Sequence, residues 1–184
     1  MQVNKTPFEG LLEIIPSIFH DERGWFFEFY SEREFQKHGI TTKFVQENQS
    51  YTKKGIIRGL HFQRAPHAQA KLVTVMEGKV LDVVVDLRKD SRTFGQSYTY
   101  VLDSKLRNML LVPAGFAHGF AALEDSLFFY KCSDLYFPEL EGGIIWNDPA
   151  LAIDWQIEKP LLSPKDLRFP TLEEFLRKSV ISQN

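Results

Sequence analysis

The sequence predicts an all-β fold in which two antiparallel sheets close a small barrel. Three observations point there. Sixteen phenylalanines, six tyrosines and three tryptophans among 184 residues favour strands over helices. The middle of the chain reads as short apolar runs broken by turn residues, with no helical pattern long enough to connect parallel strands. The run KVLDVVVDL from Lys79 splits by parity: Leu81, Val83, Val85 and Leu87 form an apolar face, while Asp82 and Asp86 alternate with Val80 and Val84 on the other. Such a split suits a barrel whose interior is apolar at one end and polar at the other.

The clearest strands are KLVTVM from Lys71, KVLDVVVDL from Lys79, SYTYVL from Ser97, MLLVP from Met109 and SLFFYKCSDLY from Ser126. Glu77-Gly78 supplies a tight turn between the first two. Two helices are signalled near the ends. Ser31 with Glu34 makes a capping box that Gly39 can terminate, and Thr171 with Glu174 repeats the box before LEEFLRKSV. From Pro149 to Pro170 periodicity is weak, so this stretch is expected to wrap the surface, with Ser163-Pro164 starting a short helical turn.

A chain of 184 residues with 43% hydrophobic content can bury one substantial core, so a single domain over 1–184 is expected. The formal charge of −2 provides no long-range field for nucleic acid, and any anionic ligand must be met by a few local cations. Cys132, the single cysteine, has no disulfide partner within the chain, and the N-terminus MQVNKTPFEG lacks the layout of a signal peptide. No apolar run is long enough to span a bilayer. A soluble, cytoplasmic protein without membrane contacts is expected.

The chemistry concentrates in RGLHFQ, Arg58 to Gln63. On a regular strand His61 and Gln63 point to one face, whereas Arg58 has the opposite parity. Arg58 and His61 reach one ligand only if the strand is distorted, and Gly59 is where a bulge is tolerated. Further on, PAGFAHGF places Pro113, Gly115 and His118 at the spacing of the second motif of the cupin superfamily, which it resembles, with RGLHFQ where the first motif carries His-x-His. In metal-binding cupins those two histidines, a glutamate and the later histidine hold the ion. Here Gln63 and Lys71 occupy two of those positions, and a charged lysine offers no lone pair, so no metal is expected. A histidine that titrates near neutrality beside a lysine that can steady an oxyanion suits deprotonation next to a carbonyl.

DERGWFFE, FVQENQS, RGLHFQ, QAKLV, DVVVDLR, TFGQ, VPAGFAHGF, FYK, EGGIIWNDP and LSPKD occur in that order between about Phe8 and Pro170. Together they resemble the dTDP-4-dehydrorhamnose 3,5-epimerase family of cupins. The resemblance implies a cupin-type jelly-roll barrel, or double-stranded β-helix, with short peripheral helices and a C-terminal helix. It also implies cofactor-free epimerisation of a dTDP-4-keto-6-deoxyhexose at C3 and C5. His61 would be the base, Asp166 its orienting partner, Lys71 the group that stabilises the enolate, and Tyr130 the acid on the opposite face. Binding roles would fall to Arg23, Glu28, Gln46, Asn48, Arg58, Lys71, His118, Tyr136, Glu141 and Lys165, with Tyr136 offering a ring to thymine and the arginines meeting the pyrophosphate.

The resemblance further implies a homodimer in which N-terminal strands within about 1–50 cross to the partner, so that Arg23 and Glu28 serve the neighbour's pocket. The barrel would then span about 51–148, and the C-terminal wrap and helix 149–184. By spacing alone Tyr130 also reads as a buried aromatic beside Phe128 and Phe129, and Asp166 as a carboxylate in a helical turn. His118 reads equally as a substrate ligand or as a brace against Asp82. His20, His38 and His67 read as surface residues. A C3-only epimerase, a ketoisomerase and a non-catalytic sugar-nucleotide-binding cupin remain as alternatives.

Overall fold

The computed structural model describes residues 1–181. The last three residues of the expected C-terminal segment, 182–184, lie outside them. The chain runs β1 (Gln2–Lys5), β2 (Leu12–Ile15), β3 (Phe19–Asp21), β4 (Gly24–Phe26), α1 (Glu32–Lys37), β5 (Gln46–Thr52) and β6 (Ile57–Gln63). It continues through β7 (Lys71–Glu77), β8 (Lys79–Asp86), β9 (Ser97–Asp103), β10 (Met109–Val112), β11 (Phe116–Ala122), β12 (Ser126–Cys132), β13 (Glu141–Gly143) and α2 (Leu172–Ile181). Two sheets face each other. One has the order β1-β2-β10-β7-β12-β5 and the other β13-β6-β11-β8-β9, while β3 and β4 pair only with each other. The expected all-β jelly roll is therefore present.

The alternation in β8 decides how the layers stack. Val80 and Val84 point between the sheets, where they meet Val73, Val75, Leu110, Phe120 and Phe128. Leu81, Val83 and Val85 point away from the interior, and there Ile57, Leu60, Ile144, Trp155 and Leu172 cover them. The uniformly apolar face is thus the outer face of the sheet, and the C-terminal wrap buries it. Trp155 and Leu172 are at most 8% exposed, and burying each such side chain contributes roughly 1.5–3 kcal/mol. The outer face of the other sheet is closed by α1 and the chain around it, through Phe35, Ile40 and Phe44 on Ile14, Leu72 and Met109.

Both helix starts follow their capping chemistry. Ser31 Oγ accepts from the Glu34 N–H, and at Thr171 the box is reciprocal, with Glu174 N–H donating to Oγ1 and Thr171 N–H donating to the Glu174 carboxylate. The turn at Gly78 also forms, with φ of +76°, but β7 and β8 do not pair across it. They enter opposite sheets, so the turn is a corner between layers. The strand from Ser126 stops at Cys132, and Ser133 to Phe137 leave the sheet as a loop.

The wrap comes back to the barrel at one place that matters for the site. Leu161 makes a parallel bridge to Ile56, with Ile57 N–H donating to Leu161 O and Leu161 N–H donating to Gly55 O. This fixes Ser163, Lys165 and Asp166 above the start of β6. Of the N-terminal strands, β2 pairs with the chain's own β10 and β5 with its own β12. The β3–β4 hairpin joins neither sheet, and its Phe19, Trp25 and Phe26 are all more than half exposed.

Candidate active site

The irregularity expected at Gly59 is present. On β11, His118 pairs with His61 and Phe120 with Arg58, so two steps along β11 match three along β6. The extra residue flips parity, and Arg58 and His61 line the same cavity. Gly59 has φ of +121°, and the Gly59–Leu60 peptide is cis. A Cβ at Gly59 would sit 2.6 Å from Gly119 Cα, so glycine is required on both counts. The bulge also turns the Gly59 N–H toward Asp166, whose Oδ2 it approaches at 3.4 Å.

His61 Nε2 lies 2.7 Å from Asp166 Oδ1. Burial pushes the Asp166 carboxyl up, but the bond to His61, with help from the Gly59 N–H and Ser163, outweighs it and holds the group below its ordinary value. An ionised carboxylate only accepts hydrogen bonds, so Nε2 carries the proton and Nδ1 keeps the basic lone pair. Phe169 packs edge-on against the His61 ring at a centroid distance of 5.5 Å.

The facing sheet supplies the opposite wall. On β7 and β12, Lys71 pairs with Cys132 and Val73 with Tyr130, while Asn48 of β5 pairs with Tyr130 from the other side. The Lys71 ammonium lies 5.8 Å from the centroid of the Tyr130 ring, and among the described residues no carboxylate forms an ion pair with it. Burial draws Lys71 below the usual lysine value, against the opposing pull of Cys132, Asp82 and Glu141. Tyr130 is raised, chiefly by burial, so its phenol stays protonated at neutral pH.

A cavity of about 470 Å³ is lined by Arg58, His61, Lys71, His118, Tyr130, Lys165 and Asp166, with Phe120, Phe128 and Leu162 forming apolar wall. A second, of about 290 Å³, is lined by Gln46, Asn48, Tyr136 and Glu141. It shares His61, Lys71 and Tyr130 with the first, so those three side chains stand where the cavities meet. Glu141 receives the Tyr136 hydroxyl at 2.6 Å and the Lys165 ammonium on the same oxygen. Tyr136 is pushed up to about 12 by that carboxylate. For Glu141 burial works upward, and the bonds from Lys165 and Tyr136 bring it below its ordinary value.

The fold thus brings together every candidate catalytic and binding residue except Arg23 and Glu28. Arg23 is paired with Asp21 on the hairpin at 2.6 Å and is 85% exposed; Glu28 is exposed on the segment that follows. His118 lines the cavity and also bonds the buried Asp82 at 2.8 Å, so the two readings of it are compatible. His67 departs from the expected surface position: it is half-buried, bonded to Asp134 and stacked on Phe137 at 4.0 Å. The sequence reading missed Cys132 and Phe169. Cys132 shares the parity of Tyr130 and was legible; Phe169 was not, because its approach to His61 depends on the path of the wrap.

These side chains do not fit a metal. The Gln63 amide is taken up by backbone groups of His67, Leu135 and Phe137. Among the described residues no group of three His, Cys, Asp or Glu side chains could hold an ion. Among the same residues no helix is long and apolar enough to cross a membrane.

Comparison with known proteins agrees with the geometry. The family model described as dTDP-4-dehydrorhamnose 3,5-epimerase matches residues 5–174. The dTDP-4-dehydrorhamnose 3,5-epimerase of Salmonella typhimurium is 45% identical over 179 residues, covering 96% of this chain and 98% of that one. The crystal structure of the Elizabethkingia anophelis dTDP-4-dehydrorhamnose 3,5-epimerase superposes with a TM-score of 0.91 at 44% identity, covering 95% of this chain and 97% of that one. A Legionella pneumophila 3,5-epimerase solved in complex with dTDP-4-keto-L-rhamnose superposes with a TM-score of 0.89 at 43% identity, covering 94% and 93%. On fold, site geometry and likeness along nearly its whole length, this chain belongs to the dTDP-4-dehydrorhamnose 3,5-epimerase family of isomerases.

Proposed function

We propose that the chain inverts C3 and C5 of a dTDP-4-keto-6-deoxyhexose without a cofactor, converting dTDP-4-dehydro-6-deoxy-D-glucose to dTDP-4-dehydro-L-rhamnose. The observation that carries this is His61 of one sheet, paired with Asp166 of the C-terminal wrap, facing Lys71 and Tyr130 of the other sheet across a single cavity. His61 Nδ1 takes the proton alpha to the C4 ketone, the C–H electron pair moves into the enolate, and Asp166 stabilises the imidazolium through Nε2. Lys71 balances the charge on the enolate oxygen, and its lowered pKa makes the ammonium a better donor to that oxygen. Tyr130 then gives its hydroxyl proton to the same carbon from the other face, and exchange with solvent resets the imidazolium and phenolate.

Arg58, His118 and Lys165 would bind around the sugar and pyrophosphate, and Gln46, Asn48, Tyr136 and Glu141 around the nucleoside. The same proposal includes a homodimer in which the β3–β4 hairpin brings Arg23 and Glu28 to a partner's cavity, and a cytoplasmic setting, which the single buried thiol of Cys132 suits. The deciding experiment is incubation with dTDP-4-keto-6-deoxyglucose in heavy water followed by NMR of the sugar. Deuterium at C3 and C5 with inversion at both is expected. Label at C3 alone would make the chain a C3-only epimerase, and label at neither would leave a binding protein.

A further inference from the structure

Gln63 is the last residue of β6, and its buried amide turns to backbone. Nε2 donates to His67 O and to Leu135 O at 2.9 Å, and Oε1 accepts from Phe137 N–H at 2.8 Å. The side chain is only 7% exposed, and those bonds occupy both of its N–H groups and its carbonyl. Two other glutamines hold the same loop. Gln69 Nε2 donates to Asp134 O at 2.8 Å and Leu135 O at 3.1 Å, and Gln46 Oε1 accepts from Tyr136 N–H at 3.0 Å. Ser133 closes the base of the loop through Ala70, its N–H donating to Ala70 O and its hydroxyl accepting from Ala70 N–H.

Loop backbone that has left a sheet normally finds water or turn partners. Here three amide side chains from β5, β6 and the connection to β7 take that place. The residue held in the middle is Tyr136, whose ring walls the second cavity and whose hydroxyl is tied to Glu141. We propose that Gln63 is a positioning residue for nucleotide binding: with Gln69 and Gln46 it clamps residues 134–137 so that Tyr136 presents its ring to the second cavity. This rests on the reading that the second cavity takes the nucleoside. A ring set before binding spares the ligand the ordering of a mobile loop, so the clamp acts on affinity and leaves proton transfer at His61 and Tyr130 in place.

The test is titration calorimetry with dTDP, alongside steady-state kinetics on dTDP-4-keto-6-deoxyglucose, for wild type, Gln63→Leu, Tyr136→Ala and the double variant. Gln63→Leu is expected to raise the dTDP Kd and the KM at least tenfold while kcat falls less than threefold. In the Tyr136→Ala background the same substitution should weaken dTDP binding by less than twofold, because the clamp has no ring left to present. Should Gln63→Leu unfold the chain, Gln69→Leu carries the same expectation, since its half-buried amide holds the same loop. An unchanged Kd in either folded variant, a fall in kcat with KM unchanged, or a full tenfold effect without Tyr136 would each overturn the clamp. Wild type that turns over the sugar nucleotide yet shows no affinity for dTDP would instead overturn the assignment of the second cavity.

Discussion

His61 Nε2 sits 2.7 Å from Oδ1 of Asp166, a carboxylate whose side chain is 5% exposed. The geometry fixes which imidazole nitrogen is basic. Asp166→Asn keeps size and shape but removes the charge that stabilises the imidazolium, and an amide N–H in place of Oδ1 would move the ring proton to Nδ1. We expect kcat to fall by roughly 10²- to 10⁴-fold with little change in Tm. Turnover within threefold of wild type would show that the carboxylate is a helical-turn residue only.

Tyr130 separates a catalytic from a packing role because phenylalanine fills the same space. Its hydroxyl is the only group lost in Tyr130→Phe. Deuterium from heavy water should still enter C3, since His61 can abstract and return a proton on its own face, whereas net inversion should drop at least tenfold. NMR of the sugar reports both in one sample. An unchanged yield of inverted product would return Tyr130 to the aromatic core beside Phe128.

Burial draws Lys71 below the usual lysine value, and this has opposite consequences for activity and stability. Lys71→Met should lower kcat by roughly 10²- to 10³-fold, as expected when one stabiliser of a developing oxyanion is lost. Its Tm at neutral pH should equal or exceed that of wild type, because the desolvated ammonium is gone. The sign follows from linkage. The folded-state pKa of Lys71 is lowered, so the unfolded chain binds its proton more tightly and wild type gains stability as pH rises from the folded value toward the unfolded one, about 10.4. The gap in Tm between the two proteins should therefore narrow toward pH 10, by differential scanning calorimetry; a gap that widens would contradict the burial.

What the sequence made legible was local. Short runs bounded by turn residues located the strands from Lys71, Lys79, Ser97 and Met109 to within a residue or two, and the boxes at Ser31 and Thr171 located both helices. Sheet partnership was less so. Glu77-Gly78 signals a turn, but whether a turn closes a hairpin or carries the chain to another layer depends on distant strands. The run from Ser126 was read too long because Ser133 to Phe137 keep apolar residues, and the glutamines that hold this loop away from the sheet lie 65 to 90 residues away. Asp166 is 105 residues from His61, so no spacing rule could join them, and family likeness did.

Gly59 was the one irregularity that parity alone demanded, and it makes the sharpest structural test. A methyl group there would meet Gly119 Cα at 2.6 Å and His118 O at 2.9 Å, on a backbone with φ of +121°. Neither neighbour is a flexible side-chain end, so the two strands must part. Gly59→Ala should lose at least about 2–3 kcal/mol of stability, read as a shift of the urea midpoint. Any folded fraction should also be slow. If β6 gives up the extra residue, Arg58 turns out of the cavity and the Gly59 N–H leaves Asp166, so KM should rise and kcat fall together. The alternative is that the strand tolerates the methyl group by a small local shift; a variant with wild-type midpoint and kinetics would show that the bulge does not require glycine.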